Sequence, residues 1–134
     1  MSIRINAVLE HVAVENQHDM KAMLATLDGD DPVRDEVAGK CYRGRGEVER
    51  RYAELWKAFP DFTVFPRQLI EEGSTVVMLA DYSGTHRGPY REKAPTGKSF
   101  NVRIANFIAF NGDKIASETI FMDLASQLKQ LGLD

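Results

Sequence analysis

The sequence has a single cysteine, Cys41, and so no means of closing an intrachain disulfide. That excludes the disulfide-stapled small folds and fits a reducing compartment. No run approaches the ~18 apolar residues of a membrane-spanning helix. The opening Met1–Asn6 carries charge but no hydrophobic signal core. A cytoplasmic protein is the expectation. Charge of either sign is also not in surplus: 17 Lys and Arg stand against 20 Asp and Glu, for a net charge of -3. Such a balance offers no general attraction to nucleic acid or to an anionic membrane. The basic residues Arg43, Arg45, Arg50 and Arg51 are interleaved with Glu47 and Glu49 and read as a solvated turn and helix face. Internal repeats and low-complexity tracts are absent too.

What remains is an ordinary globular composition, 134 residues with 43% apolar and 28% charged side chains, a length suited to one core. Residues 1–134 are therefore expected to form a single domain. Ile5, Val8, Leu9 and Val12 recur at helical spacing and predict a helix near 3–15. Met20, Met23, Leu24 and Leu27 repeat that spacing behind Asp19, which can accept from the free N–H groups of a first turn. Leu27–Pro32 is turn chemistry and leads to a weak strand candidate over 36–42, after which Gly44 and Gly46 mark another turn. Val48, Tyr52, Leu55, Trp56 and Phe59 keep one face of a third helix apolar until Pro60 stops it.

From Phe62 the period changes. Phe62–Ile70, Thr75–Tyr82, Ser99–Phe110 and Lys114–Met122 are rich in β-branched and aromatic residues and predict four strands. Two of the links between them, Glu71–Ser74 and Asn111–Asp113, have hairpin length, so the sheet should be largely antiparallel and meander-like. The Arg87–Lys98 link is long enough to cover a site. Leu124, Leu128 and Leu131 close the chain on a short helix. The expected fold is α+β, a curved antiparallel sheet wrapped around the N-terminal helices with an internal pocket at its open end.

Several local sequences in order resemble the SnoaL-like polyketide cyclases, of the nuclear-transport-factor-like superfamily. They are Asn16-Gln17-His18-Asp19 before the Met-Leu helix, Tyr42-Arg43-Gly44, Phe59-Pro60-Asp61-Phe62, Gly84-Thr85-His86-Arg87-Gly88, Pro95-Thr96-Gly97-Lys98, Lys114-Ile115, and the ending from Asp123 to Leu133. The resemblance implies a cone-shaped barrel and a cofactor-free enzyme closing a ring by an intramolecular aldol reaction. It also implies that Asp123, ahead of the final helix, is the general acid/base. Two departures from the cyclase pattern stand out. Thr119 replaces an aromatic residue, and positions where cyclases carry polar side chains align with Phe107 and Ala109.

Each candidate has a functional and a structural reading. Asp123 as a base in a dry pocket would have a raised pKa; as the N-cap of the helix starting at Leu124 it would have a lowered one. His86, opening the long link, is the candidate catalytic partner of Asp123 or else a structural hydrogen-bonder. His18 would face the pocket mouth or sit on the surface in a helix break. Arg103 and Asn106 must point to opposite faces of their strand, so at most one can serve as an enolate donor; Asp81 and Tyr82 share that ambiguity. Glu118 is a second internal carboxylate or an outward strand residue. Trp56, with Phe59, Phe62 and Phe65, could line a site for a flat ligand, although core packing suits most of them. No metal site is expected: on one continuous helix His11 and His18 would lie about 10.5 Å apart. The expected partner is a small apolar or aromatic carbonyl compound, with no cofactor. A non-catalytic binding protein using the same pocket is the alternative. The apolar character of both faces of the Ser99–Phe110 strand adds the expectation of a homodimer through the sheet.

Overall fold

The structure, a computed structural model, describes residues 2–28 and 32–134. Three helices come first: α1 (Ile3–Asn16), α2 (Met20–Ala25) and, after the short hairpin β1 (Val33–Asp35) and β2 (Lys40–Tyr42), α3 (Gly44–Ala58). The long strands follow as β3 (Thr63–Glu72), β4 (Thr75–Thr85), β5 (Ser99–Asn111) and β6 (Lys114–Met122), and α4 (Leu124–Leu131) ends the chain. Their order in one curved sheet is β2-β1-β6-β5-β4-β3. The helices and the inner sheet face enclose a core that includes Val8, Val48, Phe59, Val76, Ile104, Ile108 and Ile120. This is the expected α+β architecture.

Local chemistry sets the element ends. Ser2 accepts from Ile5 N at 2.9 Å and Asp19 from Ala22 N at 3.1 Å, so both early helices carry side-chain N-caps. Between them His18 takes a left-handed backbone, φ 54°, which turns the chain from α1 into α2. Helix α3 stops at Phe59, before Pro60. Gly88 then passes so close to this helix end that a Cβ there would lie 2.3 Å from Lys57 O. Only glycine permits that approach, and it lets Ala58 O accept from the N–H groups of both Arg87 and Gly88.

Two expectations are corrected. The single strand over 36–42 is instead two strands, because Asp35 Oδ1 accepts from the N–H groups of Val37 and Ala38 and bends the chain there. Gly44 and Gly46 lie within the first turn of α3, which starts earlier than its apolar stripe. The sheet is largely antiparallel, as expected, while β1 runs parallel to β6 with Val33 opposite Glu118 and Asp35 opposite Ile120. That pairing follows from the segment after α2, where Asp28 N donates to Ile115 O and sets the chain beside β6. The turn expected over Leu27–Pro32 lies partly outside the described residues.

Strand β5 shows the two faces of the sheet most clearly. Its even-numbered residues from Phe100 to Phe110 are buried, while the odd-numbered ones face outward. Asn106 therefore points in and Arg103 out. Phe107 and Ala109 also point out, and Phe107 pairs with Thr119 on β6. The apolar residues at these aligned positions thus belong to the outer face.

Candidate functional site

A cavity of about 280 Å³ opens between the inner sheet face, α3, the β1–β2 turn and the 87–98 loop. Its wall includes the apolar side chains of Leu55, Phe62, Phe100, Ile120 and Met122. Set among them are the polar groups of Asp35, Arg51 and Tyr82, with Tyr42. Arg51 lies three residues after Val48 and four before Leu55, so the helical period places it on the inward side of α3. Its side chain is 11% exposed and its Nη2 donates to Asp35 Oδ2 at 3.3 Å. The guanidinium also lies over the rings of Tyr52 and Tyr42, at 5.3 and 5.7 Å from their centroids. Burial opposes its charge, yet the neighbouring carboxylates of Asp35 and Glu118 favour it and Arg51 stays protonated. The reading of Arg51 as part of a solvated face is therefore corrected.

Tyr82 on β4 packs edge-on against Phe62. Burial, then the negative charge of Glu15, pushes its phenol well above the ordinary range. At neutral pH it is a hydrogen-bond donor without charge.

Next to Arg51, through Tyr52, lies a buried polar cluster. Glu118 on β6 is 2% exposed. Its Oε2 accepts from the Tyr52 hydroxyl at 3.2 Å and its Oε1 from Asn106 Nδ2 at 3.0 Å. His11 Nε2 stands 3.7 Å from Glu118 Oε1 and 3.4 Å from Glu15 Oε1. The Thr26 hydroxyl donates to Met23 O at 2.6 Å, so its oxygen accepts from His11 Nδ1, also at 2.6 Å. Tyr52 is pushed far up by burial and by Glu118. Asn106 and Glu118, both sequence candidates, are thus brought together on the inner face.

The other candidates are placed elsewhere. Asp123 caps α4: its Oδ1 accepts from Ser126 N at 3.0 Å and its Oδ2 from the Ser126 hydroxyl at 2.7 Å. These two bonds, the hydroxyl first, hold its carboxyl below the usual range. It is absent from the cavity wall, so the geometry favours the capping reading. His86 is buried behind Tyr90 and Phe59. Thr96 N donates to its Nδ1 at 3.2 Å, which ties the far end of the 87–98 loop to β4. Tyr90, from that loop, lines the cavity and donates to Gln127 Oε1 on α4 at 2.8 Å. His18 Nε2 donates to Phe62 O at 2.9 Å while its ring stacks on Trp56 at 4.7 Å. This pair closes the α1–α2 corner, outside the cavity wall. Arg103 is on the outer face, where Asp81 accepts from both Arg103 and Arg67. Phe59 is core, and Phe65 faces outward with 57% exposure.

Sequence reasoning missed Asp35, Arg51, His11 and Glu15 as inward-facing groups. A signal for the last two was present: His11 and Glu15 complete the stripe Val8, His11, Val12, Glu15, the buried set of α1.

The curved sheet with its covering helices agrees with what comparison with known proteins shows. The SnoaL-like polyketide cyclase profile matches residues 5–131. The chain belongs to the SnoaL-like polyketide cyclase family. Among solved structures, a candidate SnoaL-like polyketide cyclase from Jannaschia sp. CCS1 is similar at TM-score 0.89 and 18% identity, over 98% of this chain and 93% of that one. An NTF2-like protein from Burkholderia thailandensis E264 is similar at TM-score 0.81 and 26% identity, over 97% and 98%. A protein of ketosteroid-isomerase-like fold from Catenulispora acidiphila, crystallised with trimethylamine, is similar at 0.84 and 22%, over 96% and 93%. No curated protein matches the chain in sequence. Among the described residues, no helix is long and apolar enough to cross a membrane.

Proposed function

We propose that this family member is a cofactor-free acid/base enzyme of the cytoplasm that acts on a small apolar carbonyl compound, by an aldol-type cyclisation or a related isomerisation. The observation that carries the reading is the cavity's mixed lining: apolar walls with the Arg51–Asp35 pair and Tyr82 set among them. Removing a proton next to a carbonyl puts negative charge on its oxygen. Arg51 and Tyr82 are two donors suited to that oxygen. Asp35 and Glu54 are the carboxylates on the cavity wall, and Asp35, which pairs with Arg51 and accepts from Val37 N and Ala38 N, is assigned as the group that receives the proton. In this assignment Asp35 takes the role that the family pattern gives to Asp123, and Glu118 and Asn106 support the site from behind.

The test is solvent exchange. Aromatic β-keto esters incubated in D2O with the protein should lose their α-proton signal faster than in buffer, and Tyr82→Phe and Arg51→Gln should each slow this by about 10²-fold or more. Binding of such esters without any acceleration of exchange would instead establish a non-catalytic binding protein.

The outer sheet face supports a second part of the proposal, association into a homodimer. Phe65, Ile70, Phe107 and Phe121 are all exposed there, and the Phe107 and Phe121 rings meet edge-on at 5.9 Å. Such a patch is characteristic of an interface. Sedimentation should give a dimer for the wild type and a monomer for Phe107→Asp; a monomeric wild type would end this part.

A further inference from the structure

We infer that Gln127 is a ligand-contacting residue: its side-chain amide, oriented by Tyr90, donates to a second carbonyl oxygen of the substrate. This rests on the proposed reading of the cavity as the site of a carbonyl compound. On α4 the buried residues are Gln127 and Leu131, one turn apart on the face packed against β5. Leucine suits such a face, whereas a primary amide is costly to bury there unless its groups find partners. Gln127 is 2% exposed and lines the cavity. Its Oε1 accepts from the Tyr90 hydroxyl at 2.8 Å. Its Nε2 carries two N–H donors, and among the described residues no oxygen accepts from them. The protein thus satisfies the carbonyl half of this amide and leaves the donor half on the cavity wall.

Tyr90 fixes which way the amide faces. Its phenol hydrogen goes to Oε1, which turns Nε2 away from Tyr90. Tyr90 is itself held: its ring packs edge-on against Phe59 at 4.9 Å, and Tyr90 and Lys93 exchange both backbone hydrogen bonds, at 3.0 and 2.9 Å. The loop is tied to the fold on either side of it, where Arg87 N and Gly88 N donate to Ala58 O and Thr96 N donates to His86 Nδ1. A donor supported in this way loses little freedom when a ligand binds.

Register separates this donor from Arg51. The Arg51 partner Asp35 lies opposite Ile120, which lies opposite Asn106 on β5. Tyr90 belongs instead with Phe59 and, through it, with Phe100, whose ring meets Phe59 at 4.9 Å. From Asn106 to Phe100 is about 20 Å along the strand. An oxygen held by Arg51 and one held by Gln127 are therefore different atoms of the ligand. In an aldol closure the enolate carbon bonds to a second carbonyl carbon and the π pair moves to that carbonyl's oxygen. The oxygen then takes up a proton in place of the one removed from the α-carbon. A donor at this second oxygen favours the closure.

The experiment compares hexanophenone and 1-phenylhexane-1,5-dione, which share a chain length and differ by one carbonyl, by NMR titration. The ratio of the two affinities is compared between proteins, so that the unequal hydration of the probes cancels. Gln127→Met keeps the length of the side chain and removes its donors. It should shift the ratio about tenfold against the dione and leave hexanophenone within about twofold. Tyr90→Phe, which frees the amide to turn, should shift the ratio the same way by about threefold. An unmoved ratio in Gln127→Met, whether both probes weaken equally or neither does, overturns the inference and leaves the cavity as the ligand site. Should that variant not fold, Gln127→Asn decides in the same way, since it withdraws the amide by one methylene. Binding of neither probe by the wild type removes the cavity reading, and this inference with it.

Discussion

Two carboxylates of the same strand segment, Glu118 within β6 and Asp123 just past its end, have opposite fates. Glu118 is enclosed by Tyr52, Asn106 and His11 beside the cavity. Asp123 is spent on the first turn of α4, where a hydroxyl and a backbone N–H both donate to it. The difference teaches that the donors around a carboxylate, rather than its place along the strand, set its electrostatic surroundings. Asp123 has its needs met within three residues of chain. Glu118 is held by groups from three other elements.

The strongest way to sharpen that contrast is to delete each carboxylate and follow stability by urea denaturation. Glu118→Ala leaves the Tyr52 hydroxyl and the Asn106 amide buried without their acceptor, and should cost about 3 kcal/mol or more. An effect near zero would mean that the cluster is open to water.

Asp123→Ala should have the smaller effect, and it should depend on pH. A carboxyl whose folded-state pKa is depressed contributes stability above its unfolded value, near 3.9, and that contribution disappears as pH falls through the lowered folded value. The variant should therefore be less stable than the wild type at pH 7 and match it in strong acid. A difference that persists undiminished in strong acid would break the capping account.

Much of the fold was legible from spacing alone. The four long strands and the stripe of α3 follow from periods of two and 3.6, which burial on one face enforces locally. The β1–β6 parallel pair was not legible, because two three-residue strands carry too little pattern and their partner is some 80 residues away in the sequence. The candidate site was legible in part. Asn106 and Glu118 were suspected, and the structure brings them together. Arg51 was misread because its neighbours in sequence, Arg50 and Glu49, are surface residues, while its neighbours on the helix face are Val48 and Leu55.

By itself the sequence determined the class of fold, the family and the alternation that sets Asn106 and Phe107 on opposite faces of their strand, since each depends on local period or on motif order. Only the tertiary structure decided which of those faces is inward and which charges gather at the cavity wall and behind it. Arg51, Asp35, Glu15 and Glu118 come from four separate elements, and their roles depend on distances of 3 to 4 Å set when those elements pack.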